Sequence, residues 1–347
     1  MSNQHRITTP APLLQPDGTL TEAGWCTQPL LDCNLESAAF YPPLTRFWQK
    51  MRIKRWDYYA ITTPTHFFSF TISDVGYLGP IFAYVIDFQA QRMWEHTVNA
   101  LFASGVELPR NSTAGDSRYA SKDAEAHFTV SGARRSLKIH WPAFPQGGLD
   151  ADLALTEPEG HESMTIVIPI RGKRFYYNRK INCLPVSGWV QALGQRFDLQ
   201  PGTALASLDW GRGVWEYNSF WVWASASGFL PDRRTIGLNL GYGFGDTSAA
   251  TENAIILDGK IHKLGQVDFK YDNRNFKTPW QMTSPDGRLD LTFTPFLERV
   301  AKTEALVLGS EVHQMFGRYN GTAVTDSGEI LQITDLIGWA EEHHARW

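Results

Sequence analysis

Cysteine is scarce. Cys26, Cys33 and Cys183 are the only three in 347 residues, an odd number with no C-x-x-C pair, so a disulfide framework is not expected and a reducing compartment is. Surplus basic charge is also missing. Lys and Arg total 32 against 36 Asp and Glu, for a formal net charge of -4. A protein that grips nucleic acid by neutralising phosphates needs the opposite balance, so no nucleic-acid partner is expected. No apolar run approaches the ~18 residues that cross a bilayer as a helix. The segment Met1 to Gly18 lacks the continuous apolar stretch of a secretory signal and holds Pro10, Pro12 and Pro16 instead, which points to a soluble, cytoplasmic protein. Neither a phosphate-binding P-loop nor a G-x-S-x-G elbow is present. The histidines are dispersed, and His343-His344 after Glu341-Glu342 lacks metal-ligand spacing, so no metal or cofactor is expected.

Aromatic residues are abundant: 13 Trp, 12 Tyr and 20 Phe. They sit in short apolar runs of period two, punctuated by Gly, Pro and Asp-Gly, the pattern of strands and hairpins. Turns are explicit at Asp17-Gly18, Asp258-Gly259, Asp286-Gly287 and Ser327-Gly328. Strands are predicted at Trp56 to Ile61, Phe67 to Ile72, Ile81 to Phe88, Met164 to Ile170, Phe175 to Ile181, Phe220 to Ala224 and Ile330 to Leu336, among others. So many short strands need closure or double layering, because long open edges invite aggregation. The fold class is therefore all-β with few short helices.

Helix is expected at Leu44 to Lys54, where Arg46, Lys50, Arg52 and Lys54 accompany Phe47, Trp48 and Met51. Such a basic amphipathic segment either caps a barrel or makes peripheral membrane contact through residues 44–54. A helical turn is expected at Thr247 to Asn253, and Gln91 to Phe102 reads equally as strand or helix. Arg110 to Ser121 and Phe144 to Glu162 read as loops. The Pro/Gly-rich stretch between Asn182 and Thr203 suggests two β domains, residues 1–190 with an amino-terminal extension and residues 191–347.

The densest unusual segment is LDWGRGVWEYNSFWVWASASG, residues 208–228. If Phe220 to Ala224 is a strand, Trp221 and Trp223 line one wall. A carboxyl group desolvated by indoles rises in pKa toward proton-donor duty, so Asp209, with Glu216 and Tyr217, forms the candidate catalytic set. Trp210, Arg212, Trp215, Asn218, Trp221 and Trp223 are the accompanying candidate ligand-binding residues. The same carboxylates could instead form salt bridges to Arg212 beside a packed core. The run IGLNLGYGFGD puts Gly237, Gly241, Gly243 and Gly245 on one strand face with Asn239, a face to be filled by a ligand or by neighbouring Trp side chains. Tyr176, Asn178, Lys180 and Asn182 share one face of another strand, and Tyr177 lies beside them in sequence. A polar strip of this kind, with Tyr177, Asn178 and Lys180 as candidates, could hold a ligand's head group.

The stretch LDWGRGVWEYNSFWVWASASG, with IGLNLGYGFGD, the TENA of residues 251–254, the FGRYNG of residues 316–321 and the terminal GWAEEHHARW, resembles as a set the bacterial family called domain of unknown function 2804. The resemblance spans nearly the whole chain. That family is more remotely similar to carotenoid hydratases of the hydroxyneurosporene synthase type and to tocopherol cyclases. The resemblance implies two lipocalin-like antiparallel β-barrels side by side, with a greasy cavity for a lipid or isoprenoid. The expected function is binding of such a hydrophobic ligand, with acid-catalysed hydration, cyclisation or isomerisation as the chemistry an aromatic-lined acid supports. Two alternatives stand beside it: a non-catalytic lipid carrier, and a carbohydrate-binding or carbohydrate-active β-sandwich using exposed Trp platforms and a carboxylate pair.

Overall fold

Period-two patterning becomes two curled antiparallel half-barrel sheets in the computed structural model, which describes residues 4–305 and 308–346; Trp347, the last residue of the GWAEEHHARW motif, lies outside them. Among the described residues the first sheet has 13 strands and the second has 9, with a further two-stranded pairing near the amino terminus. The strand Leu205–Val214 sits inside the first sheet, between Lys54–Thr62 and the long strand Arg174–Ala192. The strand Gln195–Leu199 pairs there as well. Sheet membership therefore changes between Val214 and Asn218, later than the expected division at residues 190 and 191, because the chain pairs back across Arg174–Ala192 before leaving. The second sheet carries Asn218–Phe229 and Thr235–Tyr242, and its centre is a meander of three 17-residue strands, Leu289–Ala305, Leu308–Val324 and Ile330–Arg346.

Alternation sorts the side chains into three layers. One face of the first sheet buries a core that includes Phe68, Phe70, Trp141, Tyr177 and Trp210. One face of the second buries Leu238, Leu240, Trp280, Phe293 and Tyr319. The remaining faces meet in a third cluster containing Tyr58, Phe67, Tyr84, Tyr176, Trp215, Trp223, Phe316 and Trp339. The interior of each curl is thus occupied by its own side chains, and the aromatic surplus is shared with the layer between the sheets.

Several local expectations change. The segment expected to be helical at residues 44–54 is a 3-10 helix only over Pro43–Met51; it has no buried residue, so it plugs nothing, and the chain turns into strand at Lys54. Thr247 to Asn253 contains no helix, because Asp246 accepts the Ser248 N–H in a local turn. Arg92–Leu101 is strand. Strands also run through the expected loops, at Gly115–Ala120 and Leu149–Thr156, where exposed polar residues alternate with buried ones on an outer face. Asp258 and Gly259, both at positive φ, form the two-residue hairpin turn their sequence demands. Among the described residues no helix is long and apolar enough to cross a membrane.

Candidate functional site

Asp209 lies on the face of Leu205–Val214 that looks toward the second sheet. Its Oδ1 accepts the Trp56 Nε1–H at 3.1 Å and the Asn178 Nδ2–H at 2.5 Å, and its Oδ2 accepts from Lys180 Nζ at 3.1 Å. Asn178 and Lys180 reach it because they share one face of the neighbouring strand with Tyr176 and Asn182, as their spacing predicts. Lys180 Nζ stands 3.8 Å from the centroid of the Trp223 ring and 3.6 Å from Glu252 Oε2. Asn239 links the second sheet to this cluster, accepting the Trp223 Nε1–H at 2.8 Å and donating to the Glu252 backbone oxygen at 2.8 Å.

The glycine face of Thr235–Tyr242 is filled by polar side chains rather than by Trp rings alone. A Cβ on Gly237 would stand 2.7 Å from Asn182 Cβ, and one on Gly241 would overlap Glu252 Oε1. Asn182 reaches across because the strand bulges between Ile181 and Leu184, with Cys183 at φ 62, so that its amide donates to Ser225 Oγ and Ala226 O, both at 3.0 Å. Gly241→Ala is accordingly expected to cost about 1–3 kcal/mol through overpacking against Glu252. Chemical denaturation measures this, and a variant as stable as wild type would show that Glu252 can move aside.

A second carboxyl system lies in the same layer. Glu341 accepts the Trp221 Nε1–H at 3.2 Å and the Gln314 Nε2–H at 3.0 Å; Gln314 in turn accepts from Tyr84, whose hydroxyl meets that of Tyr58 at 2.8 Å. The Trp221 ring lies 4.0 Å from that of His343 and stacks on Phe244. Burial pushes the Glu341 carboxyl up to about 7. Burial also raises Glu252, with the Lys180 ammonium opposing it, and Glu252 Oε1 has no hydrogen-bond partner. Desolvation in a region walled from water by rings is the larger cause at both carboxyls; Lys180 opposes it at both, Arg299 also opposes it at Glu341, and the Asp209 charge adds to the rise at each.

The structure therefore brings together Asp209, Asn178, Lys180, Asn239 and Trp223, with Trp215 alongside through its stacking on Trp56 at 5.4 Å and Trp221 on Glu341. It separates the rest. Trp210, Arg212 and Tyr177 point the opposite way, into the first core, because adjacent strand residues face opposite sides. There Arg212 covers Trp210 at 3.7 Å and pairs with Asp57 at 3.0 Å, and the Tyr177 hydroxyl donates to Leu31 O. The salt bridge expected between Arg212 and Asp209 or Glu216 is thus made to Asp57 instead. Glu216, Tyr217 and Asn218 are exposed where the chain crosses between sheets, away from the buried carboxyls. Glu252, Glu341, Trp56, Gln314 and Trp339 were not singled out from sequence. Glu252 lies in the TENA segment and Glu341 in GWAEEHHARW, where alternation already puts Trp339, Glu341 and His343 on one face. No group of three or more His, Cys, Asp or Glu among the described residues is placed to hold a metal ion.

Three solved structures are similar to the chain, and the first two share its fold. CghA, solved with Sch210972, is 10% identical with a TM-score of 0.55, covering 85% of this chain and 88% of its own. A candidate AttH from Nitrosomonas europaea is 14% identical with a TM-score of 0.50, covering 84% and 92%. Kievitone hydratase from Nectria haematococca is 10% identical with a TM-score of 0.47, covering 85% and 88%. The comparison with curated protein sequences returns no match. The sequence profile of the domain of unknown function DUF2804 matches residues 4–347, and this chain, with its two curled sheets closing on a buried acid cluster, belongs to that family.

Proposed function

We propose that the protein binds a hydrophobic, alkene-bearing small molecule, of lipid or isoprenoid type, between its two sheets and modifies it by acid catalysis, with Glu341 as proton donor. The observation that carries this reading is the Glu341 carboxyl, held up to about 7 by burial and flanked by the Trp221 indole. A carboxylic acid that keeps its proton near neutral pH can deliver it to an alkene carbon. One new C–H bond forms and a cation is left on the neighbouring carbon. Ring faces of the layer such as those of Trp339 and Tyr58, which carry no cation, stabilise it by roughly 0.5–2 kcal/mol each. Water or a second double bond then closes on the cation, and the proton released returns to the Glu341 carboxylate, so the cycle balances.

Asp209 takes a different part in this scheme. It pairs directly with the Lys180 ammonium at 3.1 Å and also accepts from Trp56 and Asn178, so it serves to hold Lys180 and Trp56 in place. The rings close on one another across the layer, and in this reading the partly exposed Trp221, whose indole bonds Glu341, moves aside to admit the substrate. The CghA fold accommodates a small molecule, Sch210972, which supports a ligand-binding role for this architecture. Trp223 is only 6% exposed, so it offers no platform for a sugar.

Solvent extraction of the purified protein, followed by mass spectrometry, identifies the class of co-purifying hydrophobic compound. Incubation with compounds of that class should give a product of equal mass, or one heavier by water, and Glu341→Gln should abolish it. Undiminished turnover by Glu341→Gln would remove this residue from the mechanism.

A further inference from the structure

The 3-10 helix Pro43–Met51 has no buried residue, although Leu44, Phe47 and Trp48 on it are 91%, 63% and 57% exposed. Facing it across a groove of about 610 Å³ is the turn that carries Leu101 and Phe102, which are 70% and 72% exposed; Trp48 and Phe102 both line the groove. The two parts are tied together through a third turn. The Phe102 N–H donates to Tyr77 O at 3.0 Å, and Gly76 lies so close to Met51 that a Cβ would overlap the Met51 backbone. Exposed large apolar side chains therefore flank the groove from both sides, Trp48 with its ring neighbour Phe47 on one and Phe102 on the other, at one end of the first sheet, the kind of surface that marks an interaction site.

Charge identifies the partner. The helix carries exposed Arg46 and Lys50 and no acid, although the whole chain is net negative. The acids that border the groove are already engaged, Glu36 with Arg110 and Asp74 with Arg55. Aromatic and aliphatic tips flanked by unopposed cations match the acyl boundary and phosphate level of an anionic bilayer.

We propose that this patch is a peripheral docking surface for an anionic lipid bilayer, with Phe47, Trp48 and Phe102 entering the acyl boundary and Arg46 and Lys50 at the phosphates. Arg52, just past the helix, donates to Trp215 O at 3.3 Å, and Trp215 stacks on Trp56, so the docked patch adjoins one end of the aromatic layer. The inference stands apart from the acid chemistry.

Flotation of the full chain with vesicles tests it. Vesicles of phosphatidylcholine with about one quarter phosphatidylglycerol should carry the protein upward, and binding should fall about tenfold on neutral phosphatidylcholine vesicles or in high salt. Phe47→Ala/Trp48→Ala and Arg46→Glu/Lys50→Glu should each lower binding to anionic vesicles about tenfold, with unchanged circular dichroism because all four positions are exposed. Glu341→Gln should float like wild type, which separates failure of docking from failure of the catalytic reading. Absence of flotation, or equal flotation of wild type and both double variants, overturns the proposal. So does a solution dimer that Phe47→Ala/Trp48→Ala converts to monomer, which would assign the patch to a second copy of the chain.

Discussion

Glu341→Gln should lower turnover of the true substrate by about 10²–10⁴-fold, the usual contribution of a positioned general acid, and at the same time make the protein more stable above neutral pH. Both effects have one cause. The carboxyl sits between Trp221 and Gln314 in a layer that excludes water, so its folded-state value is raised to about 7 from an ordinary 4.5. Below pH 4.5 the group is protonated in both folded and unfolded chains and costs nothing. Between about 4.5 and 7 the folded chain binds more protons than the unfolded one, so stability falls as pH rises through this window and levels off above it. The full shift corresponds to about 3 kcal/mol. Urea denaturation at pH 5 and pH 8 should therefore show a loss in wild type that Glu341→Gln lacks, with the variant the more stable at pH 8 by up to that amount. The amide oxygen still accepts from Trp221, while its NH2 faces the Gln314 Nε2–H, so the loss of that one bond offsets part of the gain at pH 8 and the fold should survive. Parallel pH profiles for the two proteins would show that Glu341 is not held protonated by burial.

Lys180→Met should be the most destabilising single change in the layer, about 3–5 kcal/mol at pH 7, because it strands two buried carboxyls without their cation. Lys180 is 3% exposed, bonds Asp209 at 3.1 Å, approaches Glu252 at 3.6 Å and lies over the Trp223 ring, so one substitution removes all three interactions. In the variant Glu252, already raised by burial, loses the Lys180 ammonium that opposes that rise. The penalty should therefore shrink as pH falls and a proton neutralises Glu252. Adding Asp209→Asn and Glu252→Gln to Lys180→Met should recover much of the loss, since an uncharged layer has no ion to desolvate. Denaturation curves measure both effects. A loss below about 1 kcal/mol, or one that grows at low pH, would contradict the ion cluster described here.

The residues that form this site differ in how far they could be read from sequence. Trp221 with Trp223, and Tyr176 with Asn178, Lys180 and Asn182, were assigned to common faces by period-two spacing, and the structure shows those faces turned toward each other. Asp209 with Trp210 and Arg212 was a grouping by proximity along the chain, and strand geometry undoes it, because neighbours in a strand point to opposite sheet faces. Glu216 and Tyr217 lie apart from the buried carboxyls for a related reason: their apolar flanks belong to two different strands, and the residues between them form the exposed crossover.

The amino-acid sequence by itself determined the all-β class, the principal hairpin turns and the side of each strand on which a residue lies, because backbone pleating and turn stereochemistry are local. Tertiary structure alone decided which faces meet. Glu252, in the segment just before the strand Ala254–Leu257, and Glu341, on Ile330–Arg346, join Lys180 and Asp209 from the other sheet, and the raised carboxyls follow only after that meeting, since desolvation and charge crowding depend on through-space neighbours that no spacing along one strand records.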